Sequence, residues 1–435
     1  MLRVPAPALE PGEALRRLTR GERPFLLDGG CDADGLGGIT WAGCDPDDGV
    51  VWSRGDAGDP LALVGAAQRR WNAGPVDEAW PFAVGWVSYD AGAEALVRAC
   101  GRAPLRARDE LGVPDVDFAR YRAVWRRDNA TGKCQVLALD GAAAQALIDR
   151  LARTPPPLPT PALGAPRWPT GDDEYRRRVG RVLEYLRAGD CYQVNLSHRL
   201  WATLGEYDAL PLYMRLRALA PAPLGAYLQS GAATILCNSP ESFLRVRPGT
   251  VETRPIKGTR RRGANGEEDA HLLAELRASA KDAAEHLMIV DLLRNDLGRV
   301  ATTGSVVVDG FARAVTLPTV HHLVSTVRAK TRIGLGLEEI LRATLPGGSI
   351  TGTPKLRAVE IIDELEGIAR GPYCGAIGWL GPGGAAELAL GIRTAVVRDG
   401  ELCLGVGGGI VADSDPDDEL AETRVKAEAF VRAIS

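Results

Sequence analysis

Between Thr154 and Thr170 the chain carries seven prolines, at 155, 156, 157, 159, 161, 166 and 169. Proline lacks the backbone N–H that helices and sheet ladders require, and it fixes its own φ. The segment therefore reads as a stiff, extended connector and not as a helix or a central strand. It divides the 435 residues into an N-terminal part (1–153), a Pro-rich linker (154–170) and a C-terminal part (171–435).

In the N-terminal part, Pro24 to Asp28 predicts a strand running into a Gly-rich turn, and Pro81 to Asp90 a second apolar strand. Tyr121 to Trp125 and Gln135 to Leu139 predict a hairpin. No cluster of acids, bases or metal ligands stands out there. After the linker the periodicity sharpens. Tyr175, Val179, Val182, Leu183 and Leu186 recur at helical spacing, with Gly189 as the stop. Cys191 to His198 alternates, placing Gln193, Asn195 and Ser197 on one side. One long helix is expected over 267–299, a glycine-rich loop over 346–355 and a helix over 356–366. Strands are expected at 233–236, 323–329, 375–380, 387–397 and 402–405. The last helix has Asp415 as N-cap and Pro416 at its first position.

Chemistry concentrates after the linker. Lys257 lies in Pro255-Ile-Lys-Gly-Thr-Arg-Arg-Arg262, punctuated like a strand end entering a tight turn. Gly258 permits close backbone approach to a ligand. Three adjacent arginines would make the lysine harder to protonate, one recipe for a nucleophilic amine. A basic surface turn would carry the same letters. Glu241 follows Ser239-Pro240 at a strand end, where a loop-borne acid or a plain exposed glutamate fits equally. Glu285 lies four residues after Lys281, the spacing of an ordinary helical ion pair. Glu419, Glu422 and Lys426 share a face of the last helix. Two glutamates from separate helices would suit magnesium, which keeps waters and bridges to an anion. Gly407, Gly408 and Gly409, beside a helix N-terminus, offer backbone N–H groups to an anion. Arg393 stands in an otherwise apolar strand and requires a carboxylate from the protein or a ligand.

The formal charge of −4 argues against nucleic acid as a partner, and no run approaches membrane-span length. Eight scattered cysteines without a CxxC pair argue against a zinc site and for a reducing compartment, so a cytoplasmic location is expected.

In order, the segments GDCYQVNLS, SPESF, RPIKGTRRRG, KDAAEHLMIVDLLRNDLGRV, LPTVHHLVSTV, LPGGSITGTPKLRAVEIIDELE, GPYCGAIGWL, LGIRTAVV and GGGIVADSDPDDELAETRVKAEAF resemble the chorismate-utilising enzymes. They cover nearly everything after the linker; the N-terminal part resembles the family more weakly, through PFLLD and PFAVGWVSYDAG. The lysine in PIKGT places the resemblance in the aminodeoxychorismate-forming branch, since anthranilate-forming relatives typically carry alanine there. The implied fold is α+β, an αβ sandwich of large, mostly antiparallel sheets flanked by helices. The implied roles are Lys257 as covalent nucleophile, Glu241 as general acid/base, and Glu285 and Glu422 as Mg²⁺ ligands. Gly258, Thr259, Tyr373, Arg393, Gly407, Gly408, Gly409 and Lys426 match positions around the substrate carboxylates, and His322 one near the reacting ring. Gln193 replaces the lysine with which hydroxylating relatives activate water.

The resemblance implies conversion of chorismate and ammonia to 4-amino-4-deoxychorismate, toward 4-aminobenzoate and folate, through a lysine adduct. With no amidotransferase-like segment in the sequence, a separate glutamine amidotransferase subunit is expected to supply the ammonia. Tryptophan-binding relatives carry serine in a Leu-Leu-Glu-Ser motif. This chain reads Leu26-Leu27-Asp28-Gly29, which puts a tryptophan site in doubt. The rival readings are the anthranilate-forming branch, a silent chorismate-binding subunit, and a nucleic-acid binder using the arginine turn.

Overall fold

The computed structural model describes residues 1–435 apart from 33, 72–79, 159–163, 205–208 and 319. Pro159 and Pro161 of the linker, and Thr319 of LPTVHH, lie outside the described residues.

Two antiparallel sheets dominate the described residues. The larger runs, in spatial order, Leu2–Pro5, Cys134–Ala138, Ala123–Asp128, Ile39–Gly43, Phe25–Asp28, Leu224–Ser230, Ala233–Ser239, Thr394–Arg398, Glu401–Ile410, Gln193–Thr203 and Gly352–Thr353. The second runs Ile256–Arg261, Val320–Lys330, Thr250–Arg254, Ser242–Arg247, Ala386–Leu390, Ala376–Leu380, Ala83–Val87, Val116–Arg120 and Asp48–Trp52. Val307–Thr316 adds to it by pairing with Val320–Lys330. Both sheets draw strands from either side of the linker. Phe25–Asp28 pairs with Leu224–Ser230, and Ala83–Val87 pairs with Ala376–Leu380.

One hydrophobic core fills the space between the sheets, with Trp41, Trp86, Phe118, Ile235, Phe243 and Trp379 among its side chains. A second lies on the outer face of the larger sheet, where Leu15, Leu147, Leu216 and Phe430 project from four helices. Facing sheets buried on both sides form a sandwich. The helices Gly266–Ala278 and Ala280–Gly298 pack against Ile256–Arg261 and Val320–Lys330.

The structure departs from the sequence reading at several points. The long helix expected over 267–299 is two helices. Ser279 takes extended dihedrals (φ −70, ψ 105), and its side chain accepts from the N–H of Asp282, capping the second helix. Pro81 to Asp90 is a strand only to Val87; Ser88 then caps a helix, Tyr89–Ala99, accepting from the N–H of Ala91. The strand expected over 387–397 breaks at Gly391–Arg393, because the chain leaves the second sheet there and joins the larger one. Arg393 makes that switch with φ 49, a conformation costly for a residue with a side chain. The strand begun at Gln193 is not surface-amphipathic. Val194 and Leu196 are buried, and so are Gln193, Asn195 and Ser197 on its other side.

A buried ion pair ties that strand to its surroundings. Arg370 donates to both carboxylate oxygens of Glu366 (2.6 and 2.9 Å) and to the carbonyls of Ile350 and Asn195 (2.9 and 2.7 Å). Glu366 also accepts from the N–H and hydroxyl of Ser197. Removing one partner of a buried, hydrogen-bonded pair strands the other charge. Arg370→Leu is expected to destabilise the fold by about 3–5 kcal/mol, measured as a lowered midpoint in urea or thermal unfolding; an unchanged midpoint would show the pair to be energetically idle.

Candidate active site

Of the places where the chain crosses between the sheets, two lie side by side, and each of these carries a candidate residue. Ser239-Pro240-Glu241 leads from Ala233–Ser239 in the larger sheet to Ser242–Arg247 in the second. Gly391-Ile392-Arg393 leads back. The two crossings brace each other: the N–H of Leu390 donates to the carbonyl of Glu241 (3.0 Å), and that of Asn238 to the carbonyl of Arg393 (3.0 Å).

Glu241 is not an exposed loop acid, being only 7% exposed. Burial pushes its carboxyl up to about 7, against the lowering effects of a hydrogen bond from Ser349 and of the Lys257 charge. The Ser349 hydroxyl donates to Oε1 at 2.9 Å. Ser349 sits in the short 3₁₀ turn Gly348–Ile350 of the glycine-rich loop. Sequence reasoning singled out that loop but not this serine; a hydroxyl directly after Gly-Gly was the available signal.

Lys257 lies in the paired strand Ile256–Arg261 and not in a tight turn. Lys257 pairs with Leu323 and Thr259 with His322, leaving Gly258 as the extra residue of a bulge with φ 75. A Cβ on Gly258 would also meet Leu276 at 3.0 Å. The neighbouring arginines do not face the lysine as free charges. Arg260 pairs with Glu275 (2.7 Å) and Asp282 (3.2 Å), Arg261 with Glu268, and Arg262 with Asp269 (2.8 Å). They bind the strand to the helices behind it. The groups that feel the Lys257 charge are Glu241, Glu285, His286 and Glu422. Half-buried Lys257 itself makes no ion pair or hydrogen bond through its side chain among the described residues.

Glu285 and Glu422 come from different helices, Ala280–Gly298 and Pro416–Ile434. The expected ion pair between Lys281 and Glu285 does not form within 4 Å. Burial raises the Glu285 carboxyl, with Lys257 and Lys281 opposing and Glu422 adding to the rise. The Glu422 side chain is more than half exposed; the desolvation it does suffer is outweighed by its ion pair with Lys426 (2.6 Å), aided by Lys257 and Lys281, which holds it below the usual range. Two carboxylates that repel each other at the edge of a cluster form an oxygen-donor pair suited to a hard divalent cation that retains waters. Carboxylate oxygens suit Mg²⁺ better than zinc, which favours nitrogen and sulfur donors.

Gly407, Gly408 and Gly409 do not form a turn before the last helix. They lie inside the strand Glu401–Ile410, paired with Ser197, Leu196 and Asn195. Their neighbour Thr394–Arg398 ends its pairing at Leu404, so from Gly405 onward one edge of the strand has no partner. A Cβ at Gly407 would come within 2.5 Å of the Leu196 carbonyl oxygen. Lys426 donates to the carbonyl of Gly407 (2.8 Å), and the buried Tyr373 ring packs on Gly405. Gln193 faces Gly409, and both its amide O and N are sealed from solvent without a partner. His322 shares a hydrogen bond between Nδ1 and the Thr259 hydroxyl (2.9 Å), while its Nε2 is buried and unpartnered. Burial first, then the Arg393 charge, lower its ring to about 4, so it is neutral near pH 7. Burial likewise lowers Arg393, and no carboxylate among the described residues offsets this. His286, which sequence reasoning passed over, is buried beside Glu285, its Nε2 2.6 Å from the Ser325 hydroxyl.

The arrangement thus offers an amine, a carboxyl that can hold a proton near neutrality, a pair of carboxylates, and an unpaired guanidinium. Buried polar groups left unsatisfied in a folded chain point to an absent partner. A cavity of about 230 Å³ between the sheets is walled by Asp28, Gly29, Trp41 and Trp379 among others, and by none of the groups above. There the Asp28 carboxylate is already held by Arg217 (2.7 Å).

The family model described as chorismate binding enzyme matches residues 47–432. The aminodeoxychorismate synthase of Streptomyces griseus is 41% identical over 81% of this chain, but the chain spans only 50% of that relative, about half its length. The aminodeoxychorismate synthase component 1 of Klebsiella aerogenes is 40% identical over 87% of this chain and 83% of its own. The anthranilate synthase component 1 of Pseudomonas aeruginosa is nearly as similar, 39% over 89% and 82%. Among solved structures, anthranilate synthase component I from Streptococcus pneumoniae TIGR4 superposes with TM-score 0.79 at 29% identity, covering 91% of this chain and 92% of its own.

Because the folded Glu241 titrates near 7 and an unfolded glutamate near 4.5, folding favours its protonated form. Its contribution to stability is complete below about 4.5 and is lost as pH rises through 7. Glu241→Gln keeps a neutral acceptor for Ser349 and removes this dependence. The variant should gain on wild type by on the order of 1–3 kcal/mol between pH 5 and 8.5, followed by urea unfolding at each pH; parallel curves would refute a buried, proton-holding carboxyl.

Proposed function

Because the chain belongs to the chorismate-binding enzyme family, we propose that it exchanges the C4 hydroxyl of chorismate for ammonia, yielding 4-amino-4-deoxychorismate. The observation that carries this reading is the Lys257 amine, free of any ion pair among the described residues, beside a buried Glu241 that holds a proton near pH 7. The free amine of Lys257 attacks C2 of the ring. Both conjugated ring double bonds shift, from C1=C2 and C5=C6 to C1=C6 and C4=C5, the C4–O bond breaks, and Glu241 protonates the departing oxygen, which leaves as water. Ammonia then bonds to C4, both double bonds shift back, the C2–N bond breaks and the lysine is released. The surplus ammonia proton returns to Glu241. Overall, chorismate and ammonia become aminodeoxychorismate and water, and the enolpyruvyl ether stays intact.

Chorismate carries two carboxylates, and two features of the site answer them. The unpaired Arg393 guanidinium suits one as a charge-assisted partner. Glu285 and Glu422 would hold Mg²⁺, which when bound offsets the charge of the other carboxylate and draws electron density toward it. The unpartnered Gln193 amide and His322 Nε2 supply neutral hydrogen-bonding positions around the ring. Gln193 cannot serve as a base, which disfavours water as nucleophile.

The relatives named as component 1 support a second component, in our reading a glutamine amidotransferase delivering ammonia. 4-Aminobenzoate and folate synthesis in the cytoplasm is the setting that product suits. The second reading, anthranilate formation, is favoured by the Pseudomonas aeruginosa relative.

Purified protein with chorismate, Mg²⁺ and ammonium at mildly alkaline pH should give aminodeoxychorismate, identified by chromatography with mass detection. Lys257→Ala should lower the rate by at least about 100-fold, within the span commonly lost with a positioned reactive group. Anthranilate from wild type would move the protein to the other branch.

A further inference from the structure

Glu241 has only one side-chain hydrogen-bond donor among the described residues, the Ser349 hydroxyl on Oε1. Oε2 takes no hydrogen bond from a described residue, and it is not among the polar atoms sealed without a partner, so it keeps an open face. We propose that Ser349 is a positioning residue for the reaction: by donating to Oε1 it places the transferable proton of Glu241 on Oε2, toward the reactant. This rests on the reading of Glu241 as the general acid.

Both ends of the Ser349–Glu241 bond are mounted on fixed backbone. On the Glu241 side, its N–H donates to the Ser239 hydroxyl (3.2 Å), and its carbonyl accepts from Leu390 (3.0 Å). On the Ser349 side, the turn is clamped on three sides. Thr351 donates its hydroxyl to the Gly347 carbonyl (2.8 Å), Arg370 donates to the Ile350 carbonyl (2.9 Å), and the N–H of Asn195 donates to the Thr351 carbonyl (2.7 Å). A carboxyl whose two oxygens were interchangeable would present its proton to the reactant only part of the time. A serine hydroxyl has one proton, and no other acceptor competes for it here. Its donation to one oxygen removes the equivalence. The same bond stabilises the ionised carboxylate, an effect shared by Lys257, the one charged group acting on Glu241; the charge carried by the neighbouring crossing, Arg393, acts on His322 instead.

The test compares wild type, S349A, S349T and E241Q in the ammonium-dependent assay across pH 6 to 9.5, with unfolding midpoints in parallel. S349A should lower kcat by about 10- to 100-fold, the lower part of what positioned acid–base groups contribute, with KM nearly unchanged. Its alkaline limb should move to higher pH, because a donor that favoured the ionised carboxylate has gone. S349T keeps the hydroxyl and should recover most of the rate and the wild-type limb. An S349A enzyme with wild-type kcat and an unmoved limb overturns the proposal. So does one whose loss follows a lowered midpoint and is not rescued in S349T. Full activity in E241Q would instead overturn the acid role of Glu241 itself, a failure distinguishable from that of Ser349.

Discussion

The constraint on which the rest of the structure depends is the double crossing between the two sheets. Chain that switches sheets must give up ladder hydrogen bonds, and a buried backbone cannot leave those groups unpaired. Here the two crossings satisfy each other, Leu390 with Glu241 and Asn238 with Arg393. That mutual pairing fixes two side chains of opposite character at the seam of the sandwich. The positive φ of Arg393 belongs to the same solution, since strained backbone persists where its surroundings over-determine it. The strands beside the seam bring in Lys257 and the glycine-rich edge, and two helices close it with Glu285 and Glu422.

Charge is distributed unevenly between the scaffold and this seam. Elsewhere the abundant arginines are largely committed: Arg260, Arg261 and Arg262 to helix acids, and Arg370 to Glu366. At the seam, Arg393 and Lys257 are left without carboxylates within ion-pair reach, and the Gln193 amide and His322 Nε2 without partners. The chain has six lysines, and three of them, Lys257, Lys281 and Lys426, act on Glu422. Such groups cost folding free energy while unpaired, and that cost is offset when an anionic ligand supplies the partners.

The candidates Lys257, Glu241, Glu285, Glu422 and Arg393 could be picked out in the sequence because each sits in an ungapped motif that carries the family resemblance; spacing alone left each with an ordinary structural reading. The strand at 233–236 and the capped last helix were readable from local sequence. The errors share a different origin. Nothing local distinguishes a strand that continues from 387 to 397 from one that changes sheets at Arg393; the difference lies in partners distant in sequence. Gly407 to Gly409 look like a turn by composition, yet Gln193–Thr203 pulls them into a ladder. The arginines after Lys257 read as one basic cluster, and nothing local announced the acids on Gly266–Ala278 and Ala280–Gly298 that pair with them. The hydroxyl of Ser349 after Gly-Gly was readable, but its partner lies 108 residues away. In each case tertiary pairing overrode a correct local propensity.

The weaving of the N-terminal strands into both sheets bears on how the molecule can be taken apart. Phe25–Asp28 is flanked by Ile39–Gly43 on one side and by Leu224–Ser230 on the other, and Ala83–Val87 extends the second sheet from Ala376–Leu380. Separating the two halves would lay bare long apolar strand edges, which are sticky toward any chain at hand. Severing the covalent connection while leaving both halves present is a different matter, because the ladders hold them together. The proline stretch is thus a natural place for a split protein: two fragments made side by side have the complementary edges needed to find each other, and neither is suited to exist by itself.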